Sequence, residues 1–553
     1  MINRFFFAAL AVAALVMMPS ADASAKDRKA VAVDSLRVSL QQRLTVGEYF
    51  PNILHLSVPK DIESVVDTRI TTQRVERWAP AQTAIIICDM WDKHWCPDAT
   101  ARVAEIAPAM NTVLKVARDR GVTIVHAPSD CIDYYKDYPA RKEVLKCTAK
   151  EIDAFKPLAD GAKLPAEQNA EWPVDQSDEG CENSGAKPYR AWTKQIDALE
   201  IADNDLISDN GAEIGACFKK RGIKNVILVG VHTNMCVIGR SFGLRAMKRM
   251  GMNVVLMRDM TDLMYNHERK PFVNHFSGLD LIEEYIETYV CPTLVSTDFT
   301  GKKQFRFAGD TRPRVAMLTA ESEYRANQRL PEFAHDLTLK DIHCDFALGL
   351  PIMEGPGRHN LENLQILDDA NLAVIFMRRR ALEPEKMLQI TKYVASGRPL
   401  LGIRTASHAF DAKGNVSRSG GGIVAATEKT SDLLAQWPEF DRDILGGNYH
   451  GHYGHLKTGT DVKIAPGMEN HPLLKGVEKT FNSPNWLYQN TPLRAKNPLV
   501  LLLGSNPGVP DEPVMWINGN VIYTSLGHWD DWKIPSFRNL MFNSVEYLIK
   551  LNE

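Results

Sequence analysis

The sequence has almost no excess of charge of either sign. Its 65 lysine and arginine residues nearly balance 68 aspartate and glutamate residues, and the formal net charge is -3. A protein whose main partner is nucleic acid or an anionic membrane usually carries a strong positive charge, because that charge must neutralise phosphate groups. The composition therefore excludes the usual electrostatic basis for binding either partner.

The chain also lacks clustered cysteines and, beyond its N-terminus, long apolar runs. Its nine cysteines include no Cys-x-x-Cys pair and no zinc-finger spacing. Because this number is odd, at least one thiol stays free or pairs between chains. A pairing such as Cys131 with Cys147 is compatible with the sequence. No segment after the N-terminus is apolar enough over sufficient length to span a bilayer.

The first 25 residues have the layout of a cleavable signal peptide. A positive charge precedes the fourteen-residue apolar run FFFAALAVAALVMM, and small residues in an A-x-A pattern follow, ending at Ala23 or Ala25. This run is short for a membrane span. We therefore predict an exported protein, periplasmic or extracellular, with no stable membrane span after cleavage. An uncleaved N-terminal anchor is the alternative.

Strand-like and helix-like segments alternate over most of the remaining chain. Continuous apolar runs such as TAIIIC and NVILVGV are typical of strands covered on both faces, and helical patterns follow them. This alternation predicts the α/β class, with parallel sheets that carry helices on both faces. The polar segment 301–313 interrupts the pattern, which then restarts.

A chain of 553 residues is expected to form two or three domains. We predict two doubly wound parallel-sheet domains that are not repeats of each other. The predicted parts are a signal peptide (1–25), a β-rich extension (26–80), a first α/β domain (81–300), a linker (301–313) and a second α/β domain (314–553).

One cysteine follows a predicted buried strand at the point where a helix should begin. Cys236 comes after the strand NVILVGV, and Gly230 allows a tight turn there. The thiolate is the reactive form of cysteine, and a helix N-terminus lowers the pKa of a thiol. Backbone N–H groups of such a turn can stabilise an oxyanion. A small core residue at a helix start is the alternative interpretation of Cys236.

Asp89 ends the earlier buried strand, in IIICDMWDKHW. Ligands of open α/β sheets bind at the carboxyl ends of the strands, so Asp89 and Cys236 are expected at the same edge. A carboxylate beside a thiol can take its proton and later return it to a leaving amine. A solvated or capping acid is the alternative for Asp89.

The stretches TAIIICDMWD and VILVGVHTNMCVIGRSFGLRAMKRMGMNVVLMRD resemble the isochorismatase-like cysteine hydrolase family, which includes nicotinamidases. The resemblance covers about residues 81–300. It implies Asp89 as general acid/base and Cys236 as nucleophile, acting on a C–N bond of a small amide-type substrate. It also implies a cis peptide at Val231–His232, with the backbone N–H groups of His232 and Cys236 as the oxyanion hole.

The lysine of the family pattern is missing. The family places it on the strand before the helix that precedes the Cys strand, where this chain reads ALEIADNDLISDNGAEIGACF. Asp203 lies near the expected place, and Lys194 lies upstream. Lys93 and Arg240 are the candidates for a supporting charge, and Arg240 comes one helical turn after Cys236. The pattern leaves open whether the chemistry is retained, altered or lost.

This chemistry requires no cofactor, but the resemblance leaves a divalent metal ion open. Some family members bind a metal near the aspartate through histidines, and this chain has His94 and His126 in the corresponding region. Packing or surface histidines are the more common interpretation of such residues.

The closing stretch GNVIYTSLGHWDDWKIPSFRNLMFNSVEYLI resembles the trehalose-utilisation (ThuA-like) family over about residues 314–550. The resemblance implies a flavodoxin-like fold, related to that of glutamine amidotransferases, and a carbohydrate-related role. In PLLGIRTASHAF, where an amidotransferase carries its catalytic cysteine, this chain has Arg404.

Histidines mark the predicted crevice of this second domain. His408 and His528 each follow a strand end, and His450, His452 and His455 form a His-x-His-x-x-His pattern. Imidazole groups suit zinc, copper or iron, whereas solvated histidines of a polar loop are the alternative.

We therefore predict an exported cysteine hydrolase with a small-molecule substrate and a carbohydrate-related second domain. A homo-oligomer stays open, and no nucleic-acid partner is expected. In a first alternative, His408, His450 and His528 converge on one pocket that processes carbohydrate, and the first domain is a support. In a second alternative, the chain is a non-catalytic binding or scaffold protein.

Overall fold

The computed structural model describes residues 35–45, 48, 69–183, 185–321, 323–352, 357–418, 432–454 and 458–551. The predicted signal peptide lies outside these residues, as do His455 and part of the predicted extension 26–80. None of the helices within the described ranges combines the length and apolarity that crossing a bilayer would need.

The first half of the described chain builds an eight-stranded sheet in the order β2-β1-β8-β7-β6-β3-β4-β5. The six strands from β8 to β5 are parallel, and β1 and β2 extend the sheet as an antiparallel hairpin-like pair. The strands are β1 Leu36–Thr45, β2 Arg69–Trp78, β3 Thr83–Cys88, β4 Thr123–Ala127, β5 Leu206–Ile207, β6 Asn225–Val231, β7 Asn253–Asp262 and β8 Thr293–Leu294. The helices are α1 Pro97–Asp119, α2 Pro139–Val144, α3 Ala149–Asp153, α4 Gly211–Arg221, α5 Leu244–Arg249, α6 His275–Tyr289 and α7 Thr297–Thr300.

The central strands are apolar along their whole length because helices cover both faces of the sheet. Every residue of β3 is buried. Ile86 and Cys88 belong to the apolar core on one face, whereas Ile85 and Ile87 belong to the core on the other face. The predicted parallel sheet with two covered faces is thus confirmed for this half of the chain.

The second half of the described chain builds a nine-stranded sheet in the order β10-β9-β11-β12-β19-β18-β17-β14-β15. The first five strands in this order are parallel, and the other four are antiparallel. Its strands are β9 Arg314–Ala320, β10 His343–Leu348, β11 Leu372–Met377, β12 Leu400–Ile403, β14 Thr460–Ile464, β15 Thr480–Ser483, β17 Leu499–Ser505, β18 Glu512–Asn518 and β19 Val521–Thr524. Two further strands, β13 Gly451–His452 and β16 Tyr488–Gln489, form a separate antiparallel pair. The helices are α8 Ala326–Thr338, α9 Pro384–Ala395 and α10 Pro535–Lys550.

The predicted α/β class with two sheets is therefore confirmed, although each sheet also carries an antiparallel extension. The bounds of the five predicted parts stay a prediction. Segment 301–313 packs tightly: Phe307 is buried against Phe276 of α6, and Arg312 forms ion pairs with Asp280 and Asp310.

Candidate active site

Asp89 and Cys236 lie at the carboxyl ends of two neighbouring parallel strands. Asp89 follows β3 directly, and Cys236 lies in the turn Thr233–Val237 that follows β6. Cys88 is paired with Gly230 in the register of these strands, so their ends meet at one edge. Gly230 has φ +100°, and a Cβ atom there would lie 2.1 Å from the carbonyl oxygen of Cys88. Only glycine fits this close approach.

The carboxyl group of Asp89 is fully buried and has three partners. Its Oδ1 accepts a hydrogen bond from the Ser129 backbone N–H at 2.8 Å, and its Oδ2 lies 3.1 Å from Nε of Arg240. The Cys236 thiol is the third partner, and it lies close enough to this carboxylate for the charge of Asp89 to raise the pKa of the thiol. Burial raises the pKa of Asp89, and the Arg240 charge and the bonds from Ser129 oppose that rise. A raised pKa makes this carboxylate a stronger base than an exposed aspartate.

The thiol of Cys236 is half-buried and protonated at rest. Burial raises its pKa far above the ordinary cysteine value, and the charge of Asp89 raises it further. Arg240 and the N–H of His232, which bonds to the sulfur, act in the opposite direction. The expectation that a helix N-terminus lowers this pKa is wrong, because desolvation is the larger effect. The turn also has π-helical hydrogen bonding, and α5 begins only at Leu244.

Of the two cations proposed from sequence, the structure brings Arg240 to the site. Arg240 lies one turn after Cys236 and pairs with Asp89, while about a third of its side chain stays exposed (35%). Lys93 is exposed, and in the described part of the chain no ion pair joins it to Asp89. Arg240 therefore provides the positive charge of this site.

Serine, not lysine, occupies the end of the strand on which the family pattern has its lysine. Ser208 follows β5 and is buried, and its hydroxyl donates to Glu213 at 2.6 Å. Glu213 in turn pairs with Arg141. Asp203 is exposed, and Nζ of Lys194 pairs with Asp197 at 2.6 Å.

His232 carries one of the predicted oxyanion donors. The peptide bond Val231–His232 is cis, as the resemblance implied. The His232 side chain is buried, and its Nε2 atom has no hydrogen-bond partner within the described residues. Burial, then the nearby His94, lowers the pKa of His232 to about 3, so the ring is neutral. The role of the His232 and Cys236 N–H groups as an oxyanion hole stays a prediction.

An aromatic wall lies beside this edge of the sheet. The rings of Trp91 and Trp192 are stacked with centroids 4.2 Å apart, and His94 lies nearly parallel to Trp192 at 5.9 Å. The Trp91 indole N–H donates to the Ser129 carbonyl at 3.1 Å. Trp192 and Cys236 both pack against the small apolar cluster that contains Trp91.

Sequence reasoning missed Ser129 and Trp192. Ser129 comes two residues after β4, so the rule that ligands bind at carboxyl ends of strands would have found it. Trp192 lies in the long segment between β4 and β5, which has little regular secondary structure and therefore no periodic pattern.

The histidines proposed as metal ligands have other partners. His126 is fully buried, and its ring nitrogens contact Gln195 at 2.9 Å and Asp205 at 3.0 Å. His94 accepts a hydrogen bond from the Cys96 N–H at 3.1 Å. Within the described residues, the one cluster of three ligand-type side chains is Cys96, Asp98 and Cys181. Its two sulfurs form a disulfide, so this cluster does not fit a metal ion.

That disulfide corrects the pairing considered from sequence. Cys96 is bonded to Cys181, whereas Cys131 and Cys147 are both free. The pairing of Cys131 with Cys147 is therefore wrong in this structure.

A second crevice lies at the carboxyl edge of the second sheet. Arg404 follows β12 with φ +48°, at the elbow predicted from sequence. Its buried guanidinium lies between the rings of Tyr488 and Tyr324, at 4.2 and 4.7 Å from their centroids. It also donates to the carbonyl of Ser525. Arg404 thus ties β16 to the segments that follow β9 and β19.

The structure brings two of the three predicted crevice histidines together. His408 and His450 both line a cavity of about 1050 Å³. Nδ1 of His408 lies 3.0 Å from Oγ of Ser407, and its ring stacks on Tyr449 at 4.7 Å. Burial, then Arg379 and Arg378, lowers the pKa of His408 far below its usual value. His528 instead packs against Trp529, 3.6 Å away.

Comparisons with known proteins match both halves of the chain. A family model described as ThuA, trehalose utilisation, matches residues 412–548. A cysteine hydrolase from Pseudomonas syringae pv. phaseolicola is 16% identical, with TM-score 0.26, over 40% of this chain and 92% of that chain. A putative ThuA-like protein from Parabacteroides merdae is 15% identical, with TM-score 0.29, over 43% of this chain and 90% of that chain.

An isochorismatase family protein from Burkholderia thailandensis is 13% identical, with TM-score 0.23, over 39% of this chain and 93% of that chain. A search of curated protein sequences finds no match. The two families named from the sequence thus recur in the comparisons, and the family model confirms the ThuA-like resemblance over the residues that it matches.

Proposed function

We propose that this chain is a cysteine hydrolase that cleaves a C–N bond of a small amide-type substrate. One observation carries the proposal. The Cys236 thiol interacts with the buried carboxylate of Asp89 at the end of the neighbouring strand, and that carboxylate is paired with Arg240 at 3.1 Å. A nucleophile, a base and an orienting charge at the carboxyl edge of a parallel sheet have the geometry of covalent catalysis.

In the proposed mechanism, Asp89 takes the proton of the Cys236 thiol as the sulfur attacks the amide carbonyl carbon. The C–N bond then breaks, and Asp89 returns the proton to the leaving amine. Water attacks the resulting thioester while Asp89 accepts one of its protons, and the carboxylic acid leaves as the thiol re-forms. The N–H groups of His232 and Cys236 are the proposed donors to the oxyanion.

Arg240 has a supporting role in this proposal. A guanidinium does not give up its proton at any working pH, so Arg240 acts only through its charge and its hydrogen bond. Its charge keeps the buried Asp89 ionised, so that the carboxylate can accept the thiol proton, and it also favours the thiolate of Cys236.

The test is ammonia release from a panel of small primary amides by the wild-type chain and by Cys236→Ser. Lys93→Ala is the matched control, because Lys93 follows the same strand as Asp89 and is exposed. We expect release by the wild type and by Lys93→Ala, and a loss of at least about 100-fold in Cys236→Ser. Equal release by Cys236→Ser would overturn the proposal.

We also propose that the protein acts outside the cytoplasm. The Cys96–Cys181 disulfide supports this proposal, because structural disulfides persist in oxidising compartments. The signal-peptide-like layout of the N-terminus supports it independently. Fractionation of cells that produce the full chain should place the mature protein in the periplasm or medium, and recovery from the cytoplasm alone would contradict export.

A second candidate function concerns the crevice of the second sheet. Its cavity is lined by His408, His450, Tyr449, Asn448 and Gln489, a mixture of polar and aromatic groups that suits a carbohydrate. Titration with mono- and disaccharides, followed by calorimetry, tests this candidate. If His408→Ala gives the same heat of saccharide binding as the wild type, the sugar does not bind in this cavity.

A further inference from the structure

The wall of the candidate active site is carried by one long segment. Residues 128–205 connect β4 to β5, and we call them the excursion. The excursion supplies Ser129 to Asp89 and Trp192 to the aromatic wall. Gln195 of the excursion pairs with His126 at the end of β4. A link that restricts the position of the excursion therefore also restricts the side chains around Cys236.

One covalent link already holds the excursion. Cys181 lies within it, and Cys96 immediately precedes α1, in the connection that also contains Trp91 and His94. The disulfide between them ties the excursion to the chain that follows β3. Among the described residues, no such link holds the other end of the excursion, around α2 and α3.

A second pair of cysteines lies at that other end. Sγ of Cys147, three residues after α2, is 3.2 Å from Sγ of Cys217 in α4. Both side chains are buried, at 9% and 4% exposure. The surrounding elements are closely packed, because a Cβ atom on Gly215 of α4 would lie 2.6 Å from the ring of Phe155. This packing of the backbone keeps the two cysteines next to each other.

We propose that Cys147 and Cys217 form a second disulfide when the chain folds in the presence of a small disulfide oxidant such as oxidised glutathione. A thiolate of the pair attacks the oxidant, forms a mixed disulfide and releases one reduced glutathione. The other cysteine then attacks the mixed disulfide and releases the second reduced glutathione. The two electrons pass to the oxidant, and the two thiol protons pass to solvent or to the released thiolates.

The required movement is small. A disulfide has its sulfurs about 2.05 Å apart, so the pair must close by roughly 1.2 Å. Rotation of the two side chains about their Cα–Cβ bonds supplies movement of this size. The new link would close a loop from Cys147 to Cys217 that includes Trp192, Gln195 and β5.

The timing of this reaction follows from the burial of the pair. Burial, then the contact with Cys147, raises the pKa of Cys217 to about 12. A buried thiol of this kind reacts slowly, because only the thiolate attacks a disulfide. We therefore expect the disulfide to form during oxidative folding, and to form much more slowly when the folded, reduced protein meets the oxidant.

Peptide mapping of the full wild-type chain tests the proposal. The reduced, denatured chain is refolded either with reduced and oxidised glutathione or with dithiothreitol, blocked with N-ethylmaleimide and digested with trypsin. After oxidative refolding we expect tryptic peptide 147–150 linked to peptide 195–219. Peptide 94–102 linked to peptide 164–190 reports the Cys96–Cys181 bond and serves as the control for oxidising conditions.

Two outcomes overturn the proposal. The first is N-ethylmaleimide on both Cys147 and Cys217 in a sample where the 94–102 and 164–190 peptides are linked. The second is a link from either cysteine to a different partner. The map uses the wild-type chain, so it does not depend on whether any variant folds.

A thermal measurement adds an independent readout. The oxidised wild type should unfold a few degrees above the oxidised Cys147→Ser variant, because the extra link restricts the unfolded chain. Cys291→Ser is the matched control, since Cys291 is also buried and free. The higher unfolding temperature of the wild type should disappear when dithiothreitol reduces the disulfides. Oxidation should raise the unfolding temperature more in the wild type than in Cys147→Ser. An equal rise in both proteins would contradict a second disulfide.

Discussion

At the scale of single residues, three side chains define the candidate site. Asp89 lies between a thiol that it can deprotonate and a guanidinium that stabilises its charge. The sequence placed Asp89 and Cys236 at one sheet edge because both follow buried strands. It did not choose between Lys93 and Arg240, since that choice depends on the path of the turn after Cys236. It also gave the wrong direction for the thiol pKa, because burial is a tertiary property.

Replacing Asp89 by asparagine should separate thiol reactivity from catalysis. Apart from burial, the charge of Asp89 and its hydrogen bond raise the pKa of Cys236, so the amide should lower it. Alkylation by iodoacetamide, which needs only the thiolate, should become faster near pH 7, by roughly tenfold for each unit of pKa. Amide hydrolysis should fall by about 100-fold or more, because the base is lost. Slower alkylation together with retained hydrolysis would show that Asp89 has neither role.

Replacing Arg240 by alanine should have the opposite effect on the thiol. Arg240 lowers the pKa of Cys236, so its loss should slow alkylation of Cys236 near pH 7, by several-fold. Peptide-resolved mass spectrometry measures the rate at this cysteine alone. Lys93→Ala should leave the rate unchanged. Equal slowing in both variants would mean that only the general charge of the region matters.

At the scale of elements, the strands were more predictable than the turns. The runs TAIIIC and NVILVGV predicted β3 and β6 because helices on both faces require continuous apolar residues. The two-residue strand β5 is too short for any periodicity. The turn Thr233–Val237 has π-helical bonding, which no local residue pattern distinguishes from the start of an α-helix. The antiparallel strands β14, β15, β17 and β18 arise from pairing that sequence periodicity does not determine.

The contact between β3 and β6 should depend strongly on Gly230. Gly230→Ala combines a left-handed backbone, φ +100°, with a Cβ atom 2.1 Å from the Cys88 carbonyl oxygen. We expect the free energy of unfolding in urea to fall by more than about 3 kcal/mol. Gly121 has φ +88° and open space around it, so Gly121→Ala should cost only about 1–2 kcal/mol. Equal costs for the two variants would show that β3 and β6 adjust to the added methyl group.

At the scale of the whole molecule, polar groups join the two sheets. The side-chain amide of Gln73 in β2 donates to the Phe346 carbonyl at 3.1 Å and accepts from the Leu348 N–H at 3.0 Å, both in β10. His343 bridges Asp280 of α6 and Asp345 of β10, at 2.8 and 3.1 Å. The sequence predicted two α/β units but not their junction, because scattered polar residues carry no pattern.

The junction should be more stable in mildly acidic solution than in alkaline solution. Burial lowers the pKa of His343, but Asp280 and Asp345 outweigh burial and raise it. A histidine with a raised pKa stabilises the fold fully below its unfolded pKa of about 6.5, and this contribution is lost as the pH rises through the folded value. The stability difference between wild type and His343→Gln should therefore be largest near pH 5.5 and shrink above pH 7. A difference that grows with pH, measured by urea unfolding, would contradict this assignment.

In the proposed mechanism, Cys236 attacks the substrate and carries its acyl group as a thioester. This intermediate can be trapped by acid quenching during turnover of an amide that the wild type hydrolyses, and located by peptide mass spectrometry. We expect an acyl group on the Cys236 peptide within the first turnover, and none on that peptide at the same time in Asp89→Asn, because the base is lost. Turnover that leaves Cys236 unmodified, or that places the acyl group on another residue, would show that Cys236 is not the nucleophile.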